Sequence, residues 1–278
     1  LGFEIWSLEF LSAIKNYLMR LPWTSRLRLS PKRRQLGVMR NSLAVFLALL
    51  GVLAIHAADP PTVVLVSGED EYHSAKTLPA FAQFLETNYA LKTVYLERQK
   101  PASIPGLNAL DRADLLIVFA RRMTLPEEQL ARLQKYFDSG KPVIGLRTAS
   151  HAFQNWLVFD KQVLGGNYQN HYGNDARPKI TRSPEAKEHP ILRGVPEMFS
   201  SAGSLYRNTP LQTNTTLLLS GTIPDHNEPV AWTHDYRGAR VFYTSLGHEK
   251  DFEDEAFRRL LINAVHWALN KPVPMPAK

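Results

Sequence analysis

Residues Val143–Phe153, VIGLRTASHAF, decide the fold. The apolar run PVIGL ending at Leu146 predicts a buried strand, and TASHAF predicts the first turn of a helix. At such strand-to-helix corners a doubly wound α/β protein displays its reactive groups. No cysteine stands here or anywhere else in the 278 residues, which excludes a thiol nucleophile.

On both sides of the corner strands alternate with helices. Residues 61–67 (PTVVLVS) predict a first buried strand, and Ser74 is placed to cap a helix running to about Asn88. Strands follow at Lys92–Glu97 and Asp114–Phe119, then a helix over Pro126–Ser139 with Pro at its start and Gly140 beyond its end. Residues 163–215 are rich in Gly, Asn, Pro and Ser and read as loops inserted over the sheet. Strands return at Leu217–Ser220, Pro229–Trp232 and Arg240–Ser245, and a helix from about Glu253 to Leu269 closes the domain. The pattern predicts an α/β domain over residues 59–270, with a parallel sheet and helices on both faces. The Pro-rich tail 271–278 reads as disordered.

The net charge of +7 sits almost wholly in the first 58 residues, which hold eight Lys/Arg against Glu4 and Glu9. The remaining 220 residues carry 25 basic and 24 acidic side chains, so nothing calls for nucleic acid as a partner. Met39-Arg40-Asn41, the apolar run Leu43–Ile55 and the small residues Ala57 and Ala58 have the order of a signal peptide. Residues 39–58 are therefore expected to direct the chain to the periplasm or out of the cell, with an uncleaved membrane anchor as the rival reading. Residues 1–38 read as an upstream extension or a mis-assigned start.

Polar groups gather after four predicted strands, where open α/β sheets bind ligands. These are SGEDEYHS (Ser67–Ser74) with His73; the corner itself with Arg147, Ser150 and His151; GGNYQNHYGND (Gly165–Asp175) with Tyr168 and His171; and SLGHEKDF (Ser245–Phe252) with His248, Glu249 and Asp251. His189, His226, His234 and His266 read as structural or exposed.

The corner GLRTASHAF, the loop GGNYQNH, then HPILRGVP, SLYRNTP, PVAWTHDYRGARVFYTSLGH and the closing RRLLINAVHWAL together resemble the trehalose-utilisation (ThuA-like) family across roughly Pro61–Asn270. That family resembles class I glutamine amidotransferases, and the resemblance implies a flavodoxin-like sheet. Laid on the amidotransferase pattern GxCxGxQ, Gly145 keeps the first glycine, Arg147 takes the cysteine position, Ala149 the second glycine and His151 the glutamine. His248 falls at the place of the histidine in the catalytic pair, but no HPE motif follows it. Arginine stays protonated and cannot be acylated, so amidotransfer through a thioester is excluded. The family's link to disaccharide use implies a sugar, keto-sugar or glycoside ligand.

The leading reading is acid–base chemistry on a sugar derivative, with His248, His151 and Arg147 as catalytic groups. In it His73, Ser150, Tyr168, His171 and Glu249 contact the ligand. A non-catalytic carbohydrate-binding or accessory protein is the alternative. A third reading gathers His151, His171 and His248 around Zn²⁺, without the support of HxH or HxxxH spacing. A glycosidase pair drawn from Glu69, Asp70 and Asp251 is a lesser variant of the first. Assembly into a homo-oligomer is left open.

Overall fold

The corner is a strand followed by a turn, but the helix expected after it does not form. In the computed structural model, which describes residues 59–99 and 102–275, Arg147–His151 make a 3₁₀ turn. The chain is then drawn sideways. Arg122 and Met123 donate their backbone N–H groups to the carbonyls of His151 and Ala152, and Gln154 donates back to Met123. This bridge spends the peptide groups that a continuing helix would need. One π-helical turn, Asp160–Leu164, follows later. The extension 1–38, the leader 39–58 and residues 276–278 of the tail lie outside the described residues.

The strands in chain order are β1 (Thr62–Gly68), β2 (Lys92–Glu97), β3 (Leu115–Ala120), β4 (Val143–Leu146), β5 (Asn170–His171), β6 (Lys179–Arg182), β7 (Met198–Ser200), β8 (Tyr206–Arg207), β9 (Thr215–Ile223), β10 (His226–Tyr236) and β11 (Ala239–Thr244). The helices are α1 (Ser74–Tyr89), α2 (Glu127–Asp138) and α3 (Glu255–Ala268). The main sheet runs β2-β1-β3-β4-β11-β10-β9-β6-β7, and β5 pairs with β8 in a separate ribbon. The first five strands are parallel. With β11 as fifth member their order is the flavodoxin-like 2-1-3-4-5, as the amidotransferase resemblance implies. The remaining strands are antiparallel, so the sheet is mixed where a parallel one was expected.

That difference originates in the segment expected to be inserted loops. Lys179–Arg182 and Met198–Ser200 instead extend the sheet beyond β9, with Ile180 buried beneath it. β10 and β11 are joined through Arg237 and Gly238, both at positive φ, the geometry whose twist suits a two-residue hairpin.

Side chains alternate across the parallel strands. Val63, Leu65, Ile117, Phe119, Ile144 and Phe242 face one layer, where α1 and α3 supply Leu78, Phe81, Phe257 and Leu260. Val64, Val66, Leu116, Val118, Val241 and Tyr243 face the other, against Leu133 and Phe137 of α2. Helices therefore cover both faces. Ser74 does not cap α1 as expected: its hydroxyl bonds Glu69 O at 3.1 Å, and His73 is the N-cap residue with no side-chain cap bond. In the tail, Val273 is buried, its carbonyl accepts from Arg193, and the Pro272 carbonyl accepts from His266 Nδ1.

Phe242 is fully buried in the central strand β11. Phe242→Ala is expected to cost about 3–5 kcal/mol through lost transfer energy and the cavity left behind, read as a lower urea midpoint with an unchanged slope.

Candidate active site

Four loops meet at the carboxyl ends of the parallel strands: 68–74 after β1, 121–125 after β3, 147–151 after β4 and 245–248 after β11. At their centre is Arg147. It follows β4 with φ +43°, a left-handed conformation uncommon outside glycine. The surroundings fix it: Tyr243 Oη donates to its carbonyl at 2.6 Å, and Ser150 Oγ does so at 3.3 Å.

The Arg147 side chain is 0% exposed. One terminal nitrogen donates to Ser245 O at 2.7 Å and the other to Ser204 Oγ at 3.1 Å, while Nε has no partner. The guanidinium lies between two tyrosines, 4.0 Å from the Tyr72 ring centre and 4.8 Å from that of Tyr206. Gly203 makes room for it, since a Cβ there would sit 2.5 Å from a guanidinium nitrogen. Thus Arg147 does not touch solvent; it acts on the site through its field and through the tyrosines stacked on it.

The loop beneath the guanidinium is held by Asp251. Its buried carboxylate accepts from Ser201 Oγ, Ala202 N, Gly247 N and His248 N at 2.9–3.1 Å. Glu69 does the same for the first loop, accepting from Tyr72 N and Ser74 N at 2.7 Å, while Asp70 pairs with Arg98. Glu69 and Asp251 are therefore engaged in holding loops, while Asp70 lies exposed in a surface ion pair.

Around the tyrosines stand three of the expected histidines. His151 stacks on Tyr168 at 4.4 Å and 19°, with its Nδ1 3.1 Å from Ser150 Oγ. Burial, aided by the cations Arg121, Arg122 and Arg147, pushes its pKa down to about 3. It is a neutral hydrogen-bonding group across the physiological range and a weak base. His171, on β5, places Nδ1 2.9 Å from Tyr172 O; a carbonyl only accepts, so in the neutral ring the proton is on Nδ1 and the lone pair on Nε2. His248 is the reverse. Its Nδ1 accepts from Lys250 N at 3.2 Å, which puts the proton of the neutral ring on Nε2. Burial holds the pKa of His248 below its ordinary value, opposed by Asp251. His171 lies 6.3 Å from the Tyr206 ring and His248 5.9 Å from Tyr72.

His73 and Glu249 are brought together with each other, 2.8 Å apart, with Lys76 also on Glu249, at the exposed rim. A polar cavity of about 560 Å³ adjoins His248 on its other side, between Arg177, Asp175 and Lys250. The expected zinc set of His151, His171 and His248 is not assembled. Among the described residues no group of three or more His, Cys, Asp or Glu is arranged to hold a metal ion. The four histidines expected to be structural or exposed have partners of that kind: His189 accepts from Ile191 N, His226 stacks on Tyr172, and His234 and His266 meet carbonyls.

Sequence reasoning missed Tyr72, Tyr206, Ser204, Gly203 and the pair Arg121–Glu71, whose carboxylate also accepts from Tyr72 Oη at 2.9 Å. Tyr72 and Tyr206 lay in the singled-out stretches SGEDEYHS and SLYRNTP, but only the folded chain places them against one guanidinium.

A family model described as trehalose utilisation (ThuA) matches residues 62–268. Two solved structures of ThuA-like proteins share the fold. One, from Parabacteroides merdae, has a TM-score of 0.64 at 18% identity, covering 79% of this chain and 94% of that one. The other, from Bacteroides uniformis, has a TM-score of 0.59 at 19% identity, covering 77% and 94%. A cytoplasmic protein from Salmonella typhimurium has a TM-score of 0.52 at 13% identity, covering 74% and 99%. No curated protein matches the chain in sequence.

Behind Tyr168 lies Asp160, buried, with Oδ2 accepting from Tyr168 N at 2.7 Å and Oδ1 unpartnered. Burial pushes its carboxyl up from 3.8 to about 7. The folded state therefore holds a proton that the unfolded state releases above pH 4, and stability falls as pH rises from about 4 to 7. Asp160→Asn keeps an acceptor for Tyr168 and is expected to abolish that fall, worth roughly 4 kcal/mol for a shift of this size, in denaturation curves taken at successive pH values.

Proposed function

The chain belongs to the trehalose-utilisation family, and from that premise we propose that it acts on a sugar, keto-sugar or glycoside derivative by proton transfer between two histidines. The observation that carries this reading is the pair of opposite tautomers. His171 presents a lone pair and His248 an N–H, each fixed by a backbone group, on either side of a guanidinium clasped by Tyr72 and Tyr206. In this role His171 Nε2 takes a proton from the substrate, while His248 Nε2–H hydrogen-bonds the oxygen on which negative charge develops. A neutral imidazole suits the second task because its proton is shared rather than lost.

The other groups bind and orient. Tyr72 and Tyr168, each partly exposed, offer ring surface to the C–H face of a sugar, Tyr206 is buried behind them, and the Arg147 charge favours the developing oxyanion. His151, neutral and stacked, supplies a hydrogen bond next to the ring. Export is part of the proposal on the strength of the leader-like residues 39–58 alone; N-terminal sequencing of the protein recovered from the periplasm or medium tests it.

His171→Gln and His248→Gln are each expected to lower turnover of a 3-keto-glycoside about 10²–10⁴-fold, with ligand affinity within a few-fold of the parent. If the parent protein binds sugars tightly but turns none over, and both variants lose affinity instead, the protein is a carbohydrate-binding one.

A further inference from the structure

His151, Ser150 and Tyr168 also form one wall of a second cavity of about 170 Å³, which continues between Phe153, Trp156 and Leu157. The candidate site therefore has a side lobe that the reaction outlined above does not use.

Size, walls and rim each describe an occupant. A cavity of about 150 Å³ lined by apolar side chains holds one benzene ring, so the lobe has the volume of a single aromatic ring. Three aromatic side chains line it, Trp156 lying 6.3 Å from Phe153 and 5.1 Å from Phe159, beside the polar Ser150, Gln154, Asp160 and Lys161. Aromatic walls offer faces and edges for stacking or edge-on contact. Leu157, which lines it, is 76% exposed and the next residue, Val158, 45%, and only Met198 and Met275 join them as exposed large apolar residues among those described. Leu157 beside the cavity adds apolar surface that an apolar group entering it would cover. Asp160 at the same cavity is held partly neutral by burial, which lowers the cost of placing an apolar ring beside it.

We propose that this lobe receives the aryl aglycone of a glycoside whose sugar ring lies against Tyr168 and Tyr72, making aryl glycosides the substrate class. The inference rests on the carbohydrate reading, because continuity through His151 and Tyr168 is what makes the lobe part of that site.

Isothermal titration of the full-length protein with methyl and 4-hydroxyphenyl β-glucoside, and with the corresponding galactosides, tests it. The aryl member of at least one pair is expected to bind tenfold or more tightly than its methyl counterpart. Gln154→Trp, at an exposed lining position, plugs the lobe and should bring that ratio close to one while leaving methyl glycoside affinity unchanged. Trp156→Ala should do the same by removing a wall, so a folding defect in either variant leaves the other as the test. Equal affinities in the parent protein, or a preference that survives Gln154→Trp, overturn the lobe assignment alone. Absence of affinity for every glycoside overturns the carbohydrate reading on which it rests.

Discussion

A guanidinium with no carboxylate partner, closed off from water, is the constraint around which the rest of the site is arranged. Burying an unpaired charge costs several kcal/mol even after relaxation. Two cation–π contacts at about 2 kcal/mol each when desolvated, with hydrogen bonds from a charged donor at about 1.5–3 kcal/mol each, offset most of that. Tyr72, Tyr206, Ser204 and the Ser245 carbonyl supply these contacts. Each comes from a different part of the chain. Tyr72 is set by Glu69, Ser204 by the loop that Asp251 holds, and Ser245 by the end of β11. The buried carboxylates thus act at one remove, as clamps on the loops that enclose the cation.

The topology explains why Arg147 is where it is. A flavodoxin-like order brings the ends of β1, β3, β4 and β11 to one edge, and the residue after β4 stands at the middle of that edge. In the resemblance to amidotransferases this is the place of the thiol. Here Arg147, held at φ +43°, points a cation inward between two tyrosines, so the corner offers a fixed charge rather than a nucleophile.

Much of this could be read from the sequence, and the physical reasons separate what could from what could not. The parallel strands and three helices carry clear periodicities: Val63–Val66 feed both core layers, and α3 keeps Phe257, Leu260, Leu261 and Val265 buried. β6 and β7 were hidden because each is short, and Ile180 is the fully buried apolar residue of that pair of strands. The helix after Leu146 was misread because local propensity cannot register a bridge to Met123. Histidines could be listed as candidates, but their tautomers depend on Tyr172 O and Lys250 N, which are fixed only by the fold. The burial of Arg147 was the least legible feature, since arginine is almost never fully buried unless paired and its partners here are aromatic rings distant in sequence.

The most direct measurement compares thermal stability and sugar affinity of Arg147→Met with those of the parent. A cation retained for function contributes little to folding, so replacing it with an apolar chain of similar length should leave the melting temperature within a few degrees or raise it. Affinity for the glycoside should fall at least tenfold. A variant that melts far lower and still binds glycosides as the parent does would show that Arg147 is a structural prop, and the account of the site built on it would be wrong.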